Sequence, residues 1–430
     1  MTYTQSIEFL YGLQRHGIKL GLDTIVALLS AVDDPQSRYH AFHIGGTNGK
    51  GSTAAIVASI LQAAGHRVGL YTSPHLIDFR ERIRVNGVPI SEEDVTALTA
   101  RLRYATPGGL SVTFFEFTTA MAFLYFADSG IEVAVIEVGM GGRFDATNVL
   151  VPLASAITNV ALDHQEYLGD SVAAIAFEKA GIIKHGVPVV VGGLAPDAAD
   201  VIGRAARERS APLFALGKEF RAHGDPVEGF DYEGLHVSYT GLSCPLAGQH
   251  QLENAACGLA LLELGRAHTR WSEESVRTGL REVNWPGRLE VVERQPLLVL
   301  DGAHNPAAAE VVARYLFDFR QGHRASRVVM VLGMMRDKDR RSVLSLFLPL
   351  ADELILTQAR HPRAATVQEL RACLPDETPS LHEVPAPAEA LALARRLAAP
   401  ADLICVTGSL MLVGELKASL GRCELSPIRG

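Results

Sequence analysis

The sequence predicts an α/β protein of two domains, each a mainly parallel sheet covered by helices. Three observations carry that prediction. Short apolar runs alternate with amphipathic helical stretches along nearly the whole chain, the pattern of strands joined by helical crossovers. A glycine-rich stretch, Gly45-Gly46-Thr47-Asn48-Gly49-Lys50-Gly51-Ser52, joins one such run (40–44) to a helix over 52–64 that Gly65 closes. At Trp285-Pro286-Gly287-Arg288, proline and glycine interrupt the alternation and a second series of strands begins. The expected domains are residues 1–286 and 287–430.

The glycine stretch carries the most chemistry. Backbone N–H groups of a glycine loop at a helix N-terminus point at anionic oxygens, Lys50 adds a point charge, and Ser52 or Thr53 offers a hydroxyl to Mg²⁺. The generic G-x-x-x-x-G-K-[ST] spacing is not met, because Ile44 holds the first glycine position and Gly51 intervenes before Ser52. The loop is therefore a variant phosphate cradle formed by Thr47, Asn48, Gly49, Lys50, Gly51 and Ser52, with a ligand-free turn as the alternative. On that basis the first domain is a P-loop-containing ATPase domain with a mainly parallel sheet, and the second a smaller Rossmann-like domain.

Composition bounds what else the chain does. Its 430 residues are 20% charged with a net charge of −8, which disfavours a nucleic-acid stripe or an anionic-membrane patch. Residues 1–22 mix Glu8, Arg15, His16 and Lys19 with apolar positions at helical spacing, unlike a signal peptide or a membrane span, so a cytoplasmic protein is expected. Five widely spaced cysteines with no C-x-x-C pair disfavour a disulfide framework and a zinc knuckle.

Taken in order, helices are expected over 4–15 and 23–30, with Lys19-Leu20-Gly21-Leu22 between them either a plain turn or the lip of a pocket. A strand over 67–71 ends in Thr72-Ser73-Pro74-His75, at the edge where open α/β sheets place ligands. Asn86-Gly87 marks a hairpin, and Thr113-Phe114-Phe115-Glu116 has capping-box spacing before a long apolar helix. The strand 131–138 carries Glu137 near its end, before Gly139-Met140-Gly141-Gly142-Arg143. A carboxylate on an apolar strand needs a metal or an ion pair, here with Arg143 as the competing partner. Asp163-His164 follows the strand 153–158, and the helix 171–180 contains Glu178-Lys179, where Lys179 on its own reads as a solvated charge. Residues 219–246 read as strands with turns, and Gln249 opens a helix to Gly265 that includes Asn254. In the second domain, strands are expected at 297–300, 327–332, 353–356, 381–384 and 402–406, and four of them end in polar clusters, among them those containing Asp301 and His304, Arg360 and Arg363, and Ser409.

In combination these segments resemble the Mur ligase superfamily, in particular its folylpolyglutamate synthase and dihydrofolate synthase members. The similarity rests on Gly46-Thr47-Asn48-Gly49-Lys50-Gly51-Ser52, Glu137 to Asn148, Asp163-His164 with Leu168-Gly169, and Glu178-Lys179-Ala180-Gly181. The resemblance implies that ATP and two Mg²⁺ ions are used. Ser73 with Glu137 would hold one ion, and His164 with Lys179 the other if Lys179 is a carbamate, since an ammonium has no lone pair to donate. Lys50, His164 and Lys179 would be the catalytic set. Asn254, Arg288 and Asp301 would contact adenine, phosphate and ribose. Lys19, Leu20, Gly21, Leu22, Thr113, Phe114, Phe115 and Arg143 would border a pterin pocket, and His304 and Ser409 a glutamate pocket.

The implied reaction is ATP-dependent addition of L-glutamate to dihydropteroate or to a reduced folate by a monomer, with small molecules as its partners. Two other readings compete: another Mur-type amino-acid ligase, and a non-catalytic nucleotide sensor on a ligase scaffold. Only 45 residues precede Gly46, short for the extra domain expected of a peptidoglycan ligase, and a sensor would be expected to lose Lys50, Glu137, His164 or Lys179.

Overall fold

The structure is a computed structural model that describes residues 1–17, 19, 21–375, 378, 380–421, 423, 425 and 426. Its first sheet contains β1 (His40–Gly45), β2 (Val68–Tyr71), β3 (Ile83–Val85), β4 (Val88–Pro89), β5 (Val133–Glu137), β6 (Ala154–Ile157), β7 (Val189–Val191) and β8 (Leu213–Ala215). They run in the order β4-β3-β2-β5-β1-β6-β7-β8. All neighbours are parallel except the edge strands β3 and β4. Central strands buried on both faces read as continuous apolar runs, and every residue of β5 and of β1 after His40 is buried. Register sets Ile44 beside Glu137 and Gly45 beside Ile157, so the C-terminal ends of β5, β1 and β6 share one edge. That edge receives the glycine loop.

The helix after the loop, Lys50–Ala63, packs against the helices Gln249–Leu264 and Glu273–Glu282. Gly279 makes the second packing possible: a Cβ there would lie 2.4 Å from the Ile60 Cα, and Ser59 Oγ donates to Gly279 O at 2.7 Å. A small antiparallel sheet, β9 (Arg221–Asp225), β10 (Gly229–Glu233) and β11 (Ser238–Leu242), is tied to the helix Gln249–Leu264 through Glu263. This buried carboxylate accepts from Tyr232 Oη at 2.8 Å and from the N–H groups of Leu235, His236 and Val237 at 3.0, 2.6 and 3.1 Å.

The second sheet has β12 (Glu290–Arg294), β13 (Leu297–Leu300), β14 (Val328–Leu332), β15 (Glu353–Leu356), β16 (Leu381–Glu383) and β17 (Leu403–Thr407), in the order β12-β13-β17-β14-β15-β16. Alternation along each strand fills two cores. Val299, Met330, Leu354 and Cys405 pack with Val312 and Leu316 of the helix Pro306–Gly322. Leu298, Val331, Ile355 and Ile404 pack with Leu391 of Pro387–Leu397 and Leu412 and Leu416 of Leu410–Gly421. Both faces are covered, as a mainly parallel sheet requires.

By packing, the chain divides into two compact units. One comprises Met1–His75, Arg80–Pro245 and Gln249–Asn284; the other comprises Leu76–Phe79, Leu246–Gly248 and Trp285–Gly430. The excursions 76–79 and 246–248 carry no compositional mark. Strands β8 and β12 and the helix Glu273–Glu282 are additions to the sequence-based expectation. β8 is only Leu-Phe-Ala, and β12 is a half-exposed edge strand rich in charge. No disulfide forms among the described residues, and none of their helices is long and apolar enough to cross a membrane.

Glu263→Ala removes the acceptor of four donors, so unfolding free energy from urea titration should fall by about 3 kcal/mol. A loss below ~1 kcal/mol would show that solvent replaces the carboxylate.

Candidate active site

Two glycines give the loop its shape. Gly46 has φ +139° and Gly49 φ +83°; a Cβ on Gly46 would lie 2.0 Å from Thr158 Oγ1, and one on Gly49 2.3 Å from Asn254 Oδ1. Only glycine fits either place. The strand end after β6 then clamps the loop: Asn159 Oδ1 accepts from Asn48 N at 2.8 Å, Asn159 O accepts from Thr47 N at 2.9 Å, and Thr158 Oγ1 donates to Asn48 O at 2.6 Å.

The helix beyond the loop has no side-chain N-cap, and its first backbone bond runs from Thr53 N to Gly49 O at 2.9 Å. The N–H groups of Lys50, Gly51 and Ser52 therefore have no intrahelical acceptor, which is the arrangement that binds phosphate oxygens. Thr53 Oγ1 is buried without a hydrogen-bond partner.

Two lysines converge on this loop. Lys50 Nζ donates to Gly46 O at 3.1 Å and to Thr47 O at 3.0 Å, and Lys179 Nζ donates to Gly46 O at 2.8 Å. Lys179 is not the solvated charge expected from its helix alone: it is 3% exposed, because the helix Val172–Ala180 turns its last turn toward the loop. Burial, and then the charge of Lys50, push its pKa down to about 7, against opposing pulls from Asp163 and Asp145.

Glu137 ends β5, is buried, and accepts from Ser73 N at 3.0 Å through Oε2, which sets its carboxylate beside the turn after β2. Arg143 does not pair with it. That guanidinium meets Glu178 at 2.6 Å and stacks on Phe144 and Phe177 at 4.3 and 4.8 Å. His164, at φ +50°, is partly exposed, with Nε2 4.0 Å from Asp163 Oδ2.

A wall of aromatic residues borders the same edge. Thr113 and Glu116 form the expected capping box at the start of the helix Phe114–Asp128. Phe115 lies flush on Gly139, where a Cβ would come within 2.3 Å of its ring, and Phe114 stacks on Tyr11 at 5.3 Å. Behind the wall, Asp145 accepts from Met140 N at 2.9 Å and from Thr147 N at 3.0 Å, and Thr147 Oγ1 meets His43 Nε2 at 2.8 Å. Full burial, then Lys184, lower the His43 pKa to about 3, so the ring stays neutral. Lys19 Nζ donates to Ser111 O at 2.6 Å, just ahead of Thr113, Gly21 has φ +133°, and Leu22 precedes the helix Asp23–Ser30. Leu20 lies outside the described residues.

In the second unit, buried Asp301 accepts from Leu289 N at 2.8 Å and Ala303 N at 2.7 Å. Burial raises its pKa, opposed first by the nearby Arg288. His304 Nδ1 faces Gly302 O at 2.8 Å, so Nδ1 carries the proton, and Ser409 Oγ accepts from Leu412 N at 3.1 Å at the start of a helix. Arg360 already holds buried Glu415, at 2.6 Å. Asn159 is the main loop contact given no role from sequence. Its signal is its place at the end of β6, beside β1.

The dihydrofolate synthase/folylpolyglutamate synthase of Bacillus subtilis (strain 168) is 34% identical to this chain over 435 residues, covering 97% of this chain and 99% of that protein. The Mur ligase middle-domain model matches residues 44–262, and that of the Mur ligase glutamate ligase domain residues 287–410. The chain belongs to the Mur ligases, in their folylpolyglutamate synthase/dihydrofolate synthase branch. It is an ATP-dependent ligase. E. coli FolC, solved in complex with DHPP and ADP, has TM-score 0.91 and 31% identity, with 98% of each chain covered. A bifunctional folylpolyglutamate synthase/dihydrofolate synthase solved with Mn, AMPPNP and L-glutamate has TM-score 0.87 and 33% identity, covering 97% of this chain and 98% of that one.

Lys50→Ala should leave the ligase folded, by circular dichroism and melting temperature, while lowering ATP-dependent turnover by roughly 10²- to 10³-fold. Turnover like that of the unaltered chain would contradict the phosphate cradle.

Proposed function

We propose that this Mur ligase joins L-glutamate to dihydropteroate, to the γ-carboxylate of reduced folates, or to both, at the expense of ATP. The observation that carries the reading is the convergence of Lys50 and Lys179 on Gly46 O, next to uncapped helix N–H groups and the Ser73–Glu137 corner. That is a site for charge on a transferring phosphoryl group. The relatives' nucleotide, DHPP and glutamate complexes support the choice of substrates.

A carboxylate oxygen of the acceptor attacks the γ-phosphorus of ATP, and ADP leaves with the bonding electrons. Lys50 and the N–H groups of Gly51 and Ser52 stabilise the negative charge that spreads over the transferring group. The product is an acyl phosphate. The neutral amine of glutamate then attacks its carbonyl carbon, phosphate departs, and loss of a proton from nitrogen leaves the amide. Asn254, Arg288 and Asp301 are assigned to the nucleotide, and Lys19, Gly21, Leu22, Thr113, Phe114, Phe115 and Arg143 to the acceptor. His304 and Ser409 are assigned to glutamate. The division of labour follows, with residues 1–286 activating the carboxylate and 287–430 holding the amine. Arg360 is a poor anchor for a glutamate carboxylate because Glu415 neutralises it.

The donor set fits hard cations. Glu137 offers carboxylate oxygens, and its hydrogen bond from Ser73 N brings the residue that carries a hydroxyl to the same corner. Such a site leaves positions for phosphate and water, as Mg²⁺ prefers. Mg²⁺ would be held by Ser73 and Glu137 and, at a second position, by His164 and Lys179, and it would supply further charge neutralisation at the phosphates. Lys179 enters the second position as a carbamate. With its pKa near 7, a sizeable fraction is neutral amine, which adds to CO₂ with loss of one proton. We place the enzyme in the cytoplasm, as a monomer.

Release of ADP with glutamate plus dihydropteroate, and separately with glutamate plus tetrahydrofolate, tests the reading. Turnover requiring both acceptor and glutamate in at least one tube is expected; nucleotide binding without turnover in either would indicate a sensor. Lys179→Ala should be inactive and partly rescued by a small carboxylic acid, and full activity of that variant would remove the carbamate.

A further inference from the structure

Arg82 is a buried charge in the first unit that the mechanism above leaves without work. It is 3% exposed and makes no ion pair among the described residues. Burial disfavours its charge, against favourable fields from Tyr71, Tyr11, Glu137 and Glu81. A buried guanidinium without a paired carboxylate is a net cost, and an apolar side chain of similar volume would be the more stable choice. The charge therefore calls for a role.

Its contacts are few and specific. Nε donates to His75 Nδ1 at 2.9 Å, and the Arg82 carbonyl accepts from Thr72 N at 3.0 Å. Those two residues flank Ser73 and Pro74. The guanidinium carbon also lies 5.3 Å from the Phe114 ring centroid, and that ring stacks on Tyr11 at an interplanar angle of 13°. Phe114 opens the helix Phe114–Asp128, with Thr113 as N-cap before it and Phe115 seated on Gly139 after it. One guanidinium thus touches both the turn that carries Ser73 and the aromatic wall that begins at Thr113.

We propose that Arg82 is a positioning residue for the acceptor, fixing the Thr113–Phe115 wall against the Ser73 corner so that the bound carboxylate meets the γ-phosphate. The proposal rests on the acceptor-site reading given above. A guanidinium is suited to it because its planar N–H donates in plane while its face covers an aromatic ring; an ammonium retains the charge without that geometry.

Initial rates for Arg82→Met and Arg82→Lys, with whichever pterin acceptor the unaltered enzyme uses, test the role. Arg82→Met should raise the acceptor KM roughly tenfold or more and the ATP KM less than about twofold, with Arg82→Lys in between. In a Phe114→Leu background, Arg82→Met should have a smaller effect than in the unaltered chain, since the ring contact is already gone and only the hydrogen bond to His75 is left to lose. Equal increases in the two KM values, or a full additional effect in the Phe114→Leu background, would overturn the proposal. If Arg82→Met fails to fold, Arg82→Lys carries the same KM comparison. Absence of acceptor-dependent turnover in the unaltered enzyme would instead sink the functional reading.

Discussion

The contact between Gly46 and Thr158 is the constraint on which the rest of the site depends. Any side chain on Gly46 would overlap the Thr158 hydroxyl, and the backbone there has a φ that other residues rarely adopt. That closeness lets the strand end after β6 hold the loop through Thr158 and Asn159, which frees the next N–H groups for a ligand. It also aims the Gly46 carbonyl at two amines. A wider loop would lose the clamp and the meeting of Lys50 with Lys179.

Two ammonium groups share one carbonyl, in a site that strips one of them, Lys179, of water. Lys179 is the more deeply buried, and its pKa near 7 follows from desolvation first and from Lys50 second. The repulsion is relieved when anionic phosphate arrives. Glu137 lies at the same sheet edge with the opposite charge. A phosphate cradle beside a carboxylate corner is suited to a metal-bound nucleotide, and neither half accomplishes this alone.

Much of this was legible in the chain because it is local. Strand, glycine loop and helix adjoin in sequence, so the cradle and Lys50 are readable from spacing, as are the capping box at Thr113 and Glu137 at a strand end. What escaped depends on residues far apart in sequence. Lys179 reads as a surface charge from its own helix, and only the family resemblance gives it a role, until the fold turns it toward Gly46, 133 residues away. Arg143 is a competing partner for Glu137 in the sequence until the fold sets Glu178 against it. Asn159, Arg82 and Glu263 carry no motif; each matters through a neighbour that only the strand order or helix packing supplies. The excursions 76–79 and 246–248 escaped for the same reason, since a domain signal in composition averages over lengths much greater than three or four residues.

The central claim is that ATP activates the acceptor carboxylate as an acyl phosphate in the cradle around Gly46. Its most direct test uses dihydropteroate or a reduced folate with ¹⁸O in the reacting carboxylate, followed by mass analysis of the phosphate released with amide formation. An acyl phosphate requires one ¹⁸O to move into inorganic phosphate for each amide bond formed. Phosphate free of ¹⁸O while amide accumulates would contradict the account.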